Sequence, residues 1–166
     1  MSGEHTVTRA ISHLLRRFPF IMRMPYLVYS RMQARYTIGV AAVIFDGAGR
    51  ILLVEHAYHP RFAWGLPGGW TDKDEDPSSA VLRELSEELQ LNARVLRVVH
   101  SSKTAPNHVD LAFHCEALSP IGKLSHELLD FHWVARDDLP EINRFHRQAI
   151  NCASERIQGG KAWERV

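Results

Sequence analysis

The 166-residue chain has little cysteine, no dominant charge sign and no long uninterrupted apolar run, and each lack excludes something. Its two cysteines, Cys115 and Cys152, stand too far apart in sequence for a zinc or redox motif. That excludes a disulfide-stapled fold and points to a reducing, cytoplasmic setting. None of the ten histidines pairs with a cysteine at zinc-ligand spacing. Arginines interrupt every apolar stretch, so no membrane span is expected. The net charge of +1 gives no overall argument for a nucleic-acid partner. There are no internal repeats or low-complexity tracts. A hydrophobic content of 45% is ordinary for one soluble domain, and the length suffices for a sound core.

The charge is unevenly spread. Up to Tyr36 the chain carries six arginines against Glu4, a net +5 that leaves −4 for the remainder. Residues 1–35 therefore read as a basic N-terminal arm that packs on its own domain or on a second subunit. Contact with a membrane surface and an organelle transit peptide are alternatives. Beyond the arm, Thr37–Phe45 is a nearly continuous apolar run, as expected of a strand buried on both faces. Asp46–Arg50 reads as a turn and Ile51–His56 as a second strand, so the pair reads as a hairpin. Val95–His100, His108–Ala117 and Phe131–Ala135 follow as strands. A last helix is expected over 141–157, with Ile142, Phe145, Ala149, Ile150, Ala153 and Ile157 facing inward. Strands with a helix on either side imply an α/β domain, a sheet sandwiched between helices.

Glu84, Glu87 and Glu88 sit at helical offsets of zero, three and four, which puts three carboxylates on one face. Like charges one turn apart cost a helix roughly 0.2–0.5 kcal/mol. A hard divalent cation offsets that cost, and magnesium prefers oxygen ligands shared with substrate phosphates. Leu82, Leu85 and Leu89 form an apolar stripe opposite them. Just upstream, Gly68 and Gly69 permit a tight turn, and Asp76–Pro77 reads as helix N-cap and first helical residue. Arg83 is placed to pair with Glu87 or with Glu75.

The run GLPGGWTDKDEDPSSAVLRELSEELQL, from Gly65, resembles the Nudix hydrolase signature G-x5-E-x7-R-E-U-x-E-E-x-G-U, where U is bulky and aliphatic. Gly69, Glu75, Arg83, Glu84, Leu85, Glu87, Glu88 and Leu91 fall on the pattern. Gln90 replaces the last glycine, so either it bears the strain of the left-handed conformation or the helix runs on toward Asn92, and a shifted helix end is expected. The resemblance covers residues 36–157, with 158–166 as a tail, and implies an α/β/α sandwich with a mixed sheet. It implies Mg2+ (with Mn2+ able to substitute) held by Glu84, Glu87, Glu88 and the Gly68 carbonyl. Arg83 and Glu75 would brace the carboxylates. In HELLDFHWVARDDLP the resemblance makes Glu127 a further metal ligand or base, with Asp130 as fallback. Glu84 is the first candidate for general base and Glu127 the second.

Four residues outside the signature are candidates for substrate contact. Arg61 and His56, with His59, precede the glycine turn and suit a phosphate. Trp64 either packs beneath the turn or lines the pocket. Pro106 lies where Nudix enzymes that cleave ADP-ribose often carry a proline. The expected activity is hydrolysis of the pyrophosphate bond in a small nucleoside diphosphate linked to another moiety. Alternatives are a house-cleaning nucleoside triphosphate or dinucleoside polyphosphate hydrolase, and a catalytically silent module that binds nucleotides or proteins. The arm offers a surface for a homodimer.

Overall fold

The computed structural model describes Tyr29 and residues 33–58 and 61–163, with side chains as far as Glu155. The basic arm and His59 thus fall largely or wholly outside the described residues. A compact unit begins at Tyr36. Its elements run β1 (Thr37–Ile44), β2 (Ile51–His56), β3 (Trp64–Gly65), β4 (Gly68–Trp70), α1 (Pro77–Leu89), β5 (Ala93–Ala105), β6 (His108–Ala117), β7 (Leu128–Val134) and α2 (Arg144–Trp163). A 3-10 turn, Arg136–Asp138, follows β7.

The strands form two sheets. One has the order β4-β1-β6-β5, with β1 and β6 parallel and the outer pairs antiparallel. The other, β3-β2-β7, is antiparallel throughout. This corrects the expected hairpin. Asp46 does close a turn, accepting from the Ala48 and Arg50 amides, but β1 and β2 share only the bridge Phe45↔Ile51 before they diverge into separate sheets. Strand β1 instead runs beside β6, from Thr37↔His108 to Ile44↔Cys115.

Alternation along β1 divides the core. Val40, Ala42 and Ile44 pack with Val81, Leu85 and Leu89 of α1. Ala41 and Val43 pack with Phe145, Ala149, Ile150 and Ala153 of α2. Both faces are covered, which is why β1 reads as an unbroken apolar run. The two helices thus flank the sheets as expected, although α2 starts three residues later than predicted and runs further. Among the described residues no helix is long and apolar enough to cross a membrane.

The start of α1 follows the sequence. Asp76 Oδ1 accepts from the Ser78 amide at 2.8 Å, and Pro77 is the first helical residue. Its end does not. The helix stops at Leu89, and Gln90 itself takes the left-handed conformation (φ 47°, ψ 37°). Three contacts offset that strain. The Gln90 and Leu91 amides reach back to the Ser86 and Leu85 carbonyls, and Gln90 Oε1 accepts from the Lys123 amide at 3.2 Å. Gly122 packs so close that a Cβ there would lie 2.8 Å from that of Gln90.

Candidate active site

The site is built where β4 meets the C-terminal half of α1. At Gly68 φ is +149°, and a Cβ would stand 2.1 Å from the Val40 carbonyl oxygen. At Gly69 a Cβ would stand 2.4 Å from Glu84 Oε1. Gly68 therefore lets β4 lie close against the backbone of β1, and Gly69 lets Glu84 of α1 press directly against the backbone of β4.

Arg83 organises the acids around it. Its Nε and Nη2 grip both oxygens of Glu75, at 3.0 and 3.1 Å. Its Nη1 bridges Glu84 Oε1 (3.0 Å) and Glu87 Oε2 (3.1 Å), while Nη2 also donates to the Trp70 carbonyl at 2.9 Å. The alternatives left by the sequence, Glu87 or Glu75, are thus both realised. This fork holds the Glu75 carboxyl below its ordinary range, helped by the Asp72 amide. The same contacts, the Glu75 hydrogen bond foremost, raise the pKa of Arg83 further still.

The three glutamates do not share one environment. Glu87 is 60% exposed, Glu84 15%, and Glu88 only 5%. Glu88 thus lies on the core side of the helix rather than opposite the leucine stripe. Burial pushes its carboxyl up to about 8, and the charges of Glu84, Glu127 and Glu87 push the same way. Against them stands the Gly68 amide, which donates to Glu88 Oε2 at 3.1 Å. Burial also raises Glu84, more than Arg83 lowers it, and Glu87 and Glu127 add to the rise. Glu127 is 60% exposed, on the segment leading into β7, where its carbonyl accepts from the Ala57 amide. Its charge reaches Glu84 and Glu88 from across the site. The Asp130 carboxylate instead accepts from the Phe131 amide and lies 3.3 Å from His132.

Among the described residues no three ligand-type side chains stand ready-made around one point. As placed, Arg83 occupies Glu84 and Glu87, and Glu88 turns to Gly68. The donor set nonetheless fits a hard cation. Glu84, Glu87, Glu88 and Glu127 bring four carboxylates whose charges raise the pKa values of the two buried ones, and one guanidinium does not balance them.

A cleft adjoins the glycine turn. Its smaller cavity, about 190 Å3, is walled by Gly68, Gly69, Trp70, His56, His108 and Asp110, among others. A larger one, about 690 Å3, shares Asp110, Asn143 and Phe145 with it and adds Lys103, Arg144 and His100. Of the four predicted substrate residues, His56 lines the cleft. Trp64 packs against the α2-side core and tilts on His132 at 4.9 Å. The Arg61 guanidinium lies 5.2 Å from the Phe62 ring centre, and Pro106 sits with Asn107 (φ 54°) at the tip of the β5–β6 hairpin. The cleft residues not foreseen from the sequence include Trp70, His108, Asp110, Lys103 and Arg144. The aromatic directly behind the glycine pair was the one available signal.

The NUDIX domain profile matches residues 35–151. A MutT-like protein of Streptomyces ambofaciens is 30% identical over 107 residues, spanning 64% of this chain and 68% of that one. An RNA pyrophosphohydrolase of Acidiphilium cryptum is 44% identical over 61 residues, 35% of this chain but only 37% of its own length. Among solved structures, an ADP-ribose pyrophosphatase from Streptococcus suis superposes with a TM-score of 0.60 at 28% identity, covering 72% of this chain and 92% of that one. This chain belongs to the Nudix family. It is in that sense a pyrophosphohydrolase, of the class that acts on phosphoanhydride bonds.

Proposed function

We propose that the chain hydrolyses the pyrophosphate bond of a nucleoside diphosphate linked to a second moiety, such as ADP-ribose or a nucleotide sugar. The observation that carries this reading is the position of the carboxylates. They border the glycine turn that walls the smaller cavity, and a larger cavity with two cations continues beyond it. Lys103 and Arg144 suit the charge or hydroxyls of the linked moiety. The likeness to the Streptococcus suis ADP-ribose pyrophosphatase agrees with this class.

Glu84, Glu87, Glu88 and Glu127 would hold Mg2+, which when bound neutralises the diphosphate and makes a bound water easier to deprotonate. Arg83 keeps Glu84 Oε1 fixed, which aims the carboxylate; its other oxygen is the first candidate to take the water's proton. Glu127 is the second. The water oxygen bonds to one phosphorus, the bridging P–O bond breaks, and two phosphorylated products leave. The glycine turn and His56 line the place where the diphosphate would lie.

Release of phosphorylated products from a panel of ADP-ribose, nucleotide sugars, dinucleoside polyphosphates and nucleoside triphosphates, with and without EDTA, tests the reading. Turnover of the first two classes that stops with EDTA is expected. E87Q, at an exposed position, should fold as the parent does and lose turnover. Retained activity of E87Q in magnesium would overturn the assignment.

A further inference from the structure

We propose that Trp70 is the stacking platform for the substrate's nucleobase, an inference that rests on the nucleotide reading above and adds the element that recognises the base. Trp70 ends β4, immediately after the glycine pair. Its indole lies against the His108 imidazole, with ring centres 4.5 Å apart and planes 35° from parallel. His108 is itself pinned at both nitrogens. Nδ1 is 2.8 Å from the Thr37 hydroxyl and Nε2 is 3.1 Å from Asp110 Oδ1. The other Asp110 oxygen accepts from the Thr104 hydroxyl.

This assembly needs a gap in β1, and the sequence supplies one. Gly39 pairs with Trp70 on one side and with Asp110 on the other. A Cβ at Gly39 would stand 2.0 Å from Asp110 Oδ1 and 3.2 Å from His108 Nε2. Without a side chain there, His108 and Asp110 of β6 lean across β1, and His108 reaches the indole. The Trp70 carbonyl is held by Arg83, the same arginine that aims the carboxylates.

Yet the ring so firmly seated is 60% exposed. One face rests on His108 and the remainder stands at the mouth of the cleft that Trp70, His108 and Asp110 wall. A rigid aromatic face already fixed in place binds a second planar ring at little entropic cost. Stacking of this kind tolerates any base, because each offers a π-face, and it rewards the base roughly tenfold or more in affinity. Trp70 therefore selects nucleotides over diphosphates that carry no base, without choosing sharply among bases.

Calorimetric titration of the full chain with AMP and with ribose 5-phosphate tests this without reading turnover. The parent should bind AMP about tenfold more tightly than ribose 5-phosphate. W70L should bring AMP down to the ribose 5-phosphate affinity and leave the latter unchanged, while W70F keeps most of the preference. AMP should also quench indole fluorescence in the parent and, although still bound, much less in W70F. Equal affinity of the parent for the two ligands, no binding of AMP, or undiminished AMP binding by W70L would overturn the platform. A chain that binds AMP through Trp70 yet hydrolyses none of the panel would sink the proposed activity and leave the platform standing.

Discussion

Arg83 touches more of the site than any carboxylate does, because one planar fork reaches Glu75, Glu84, Glu87 and the Trp70 carbonyl at once. A lysine has one ammonium in place of that fork. R83K should therefore lower kcat by about 10–100-fold, the usual scale for residues that orient metal-binding groups, while circular dichroism stays unchanged. An unaltered kcat would mean the carboxylates position themselves. The Glu75–Arg83 pair also has a pH signature. The Glu75 carboxyl is depressed in the folded chain, so the folded state binds fewer protons than the unfolded one there. Its stabilising contribution is present above the ordinary carboxylate range and is lost as pH falls through the depressed value. Melting curves of the parent and E75Q should accordingly converge on going from pH 6 toward pH 3. The two cysteines differ as well. Burial pushes the Cys115 thiol up to about 12, so mass spectrometry after mild alkylation at pH 8 should find Cys152 modified first.

At the scale of elements, α1 does two jobs with one sequence, presenting acids to β4 while burying Leu85 and Leu89 completely. L85A should cost about 2–5 kcal/mol in denaturant unfolding, as fully buried leucines do. A loss under 1 kcal/mol would mean that α1 is not packed as described. This helix was also the most legible element, since its cap, its proline and its glutamate spacing are all local signals. The β1–β2 relation was not legible. A tight turn capped by Asp46 looks the same whether the strands continue as a ladder or part, and the choice is made by β6, some seventy residues on. Strands β3 and β4, of two and three residues, are too short to carry any periodicity. The end of α1 was misjudged for a related reason. What stabilises Gln90 in its left-handed conformation includes Gly122 and the Lys123 amide, remote in sequence.

For the whole molecule, the carboxylates could be found from spacing, but their inequality could not. Burial of Glu88 depends on how α1 meets the sheet, and the charge of Glu127 arrives from the far end of the second sheet. The cleft is likewise a product of tertiary assembly. Trp70, His108 and Lys103 come from β4, β6 and β5, and nothing local links them. On the proposed reading, this surplus of negative charge holds a divalent cation against a diphosphate. The most direct measurement is a manganese titration followed by electron paramagnetic resonance, with a nucleoside diphosphate present, on the parent, E84Q and E88Q. Bound manganese in the parent and much weaker binding in both variants is the predicted result; no bound ion in the parent, or equal binding in all three, would contradict it.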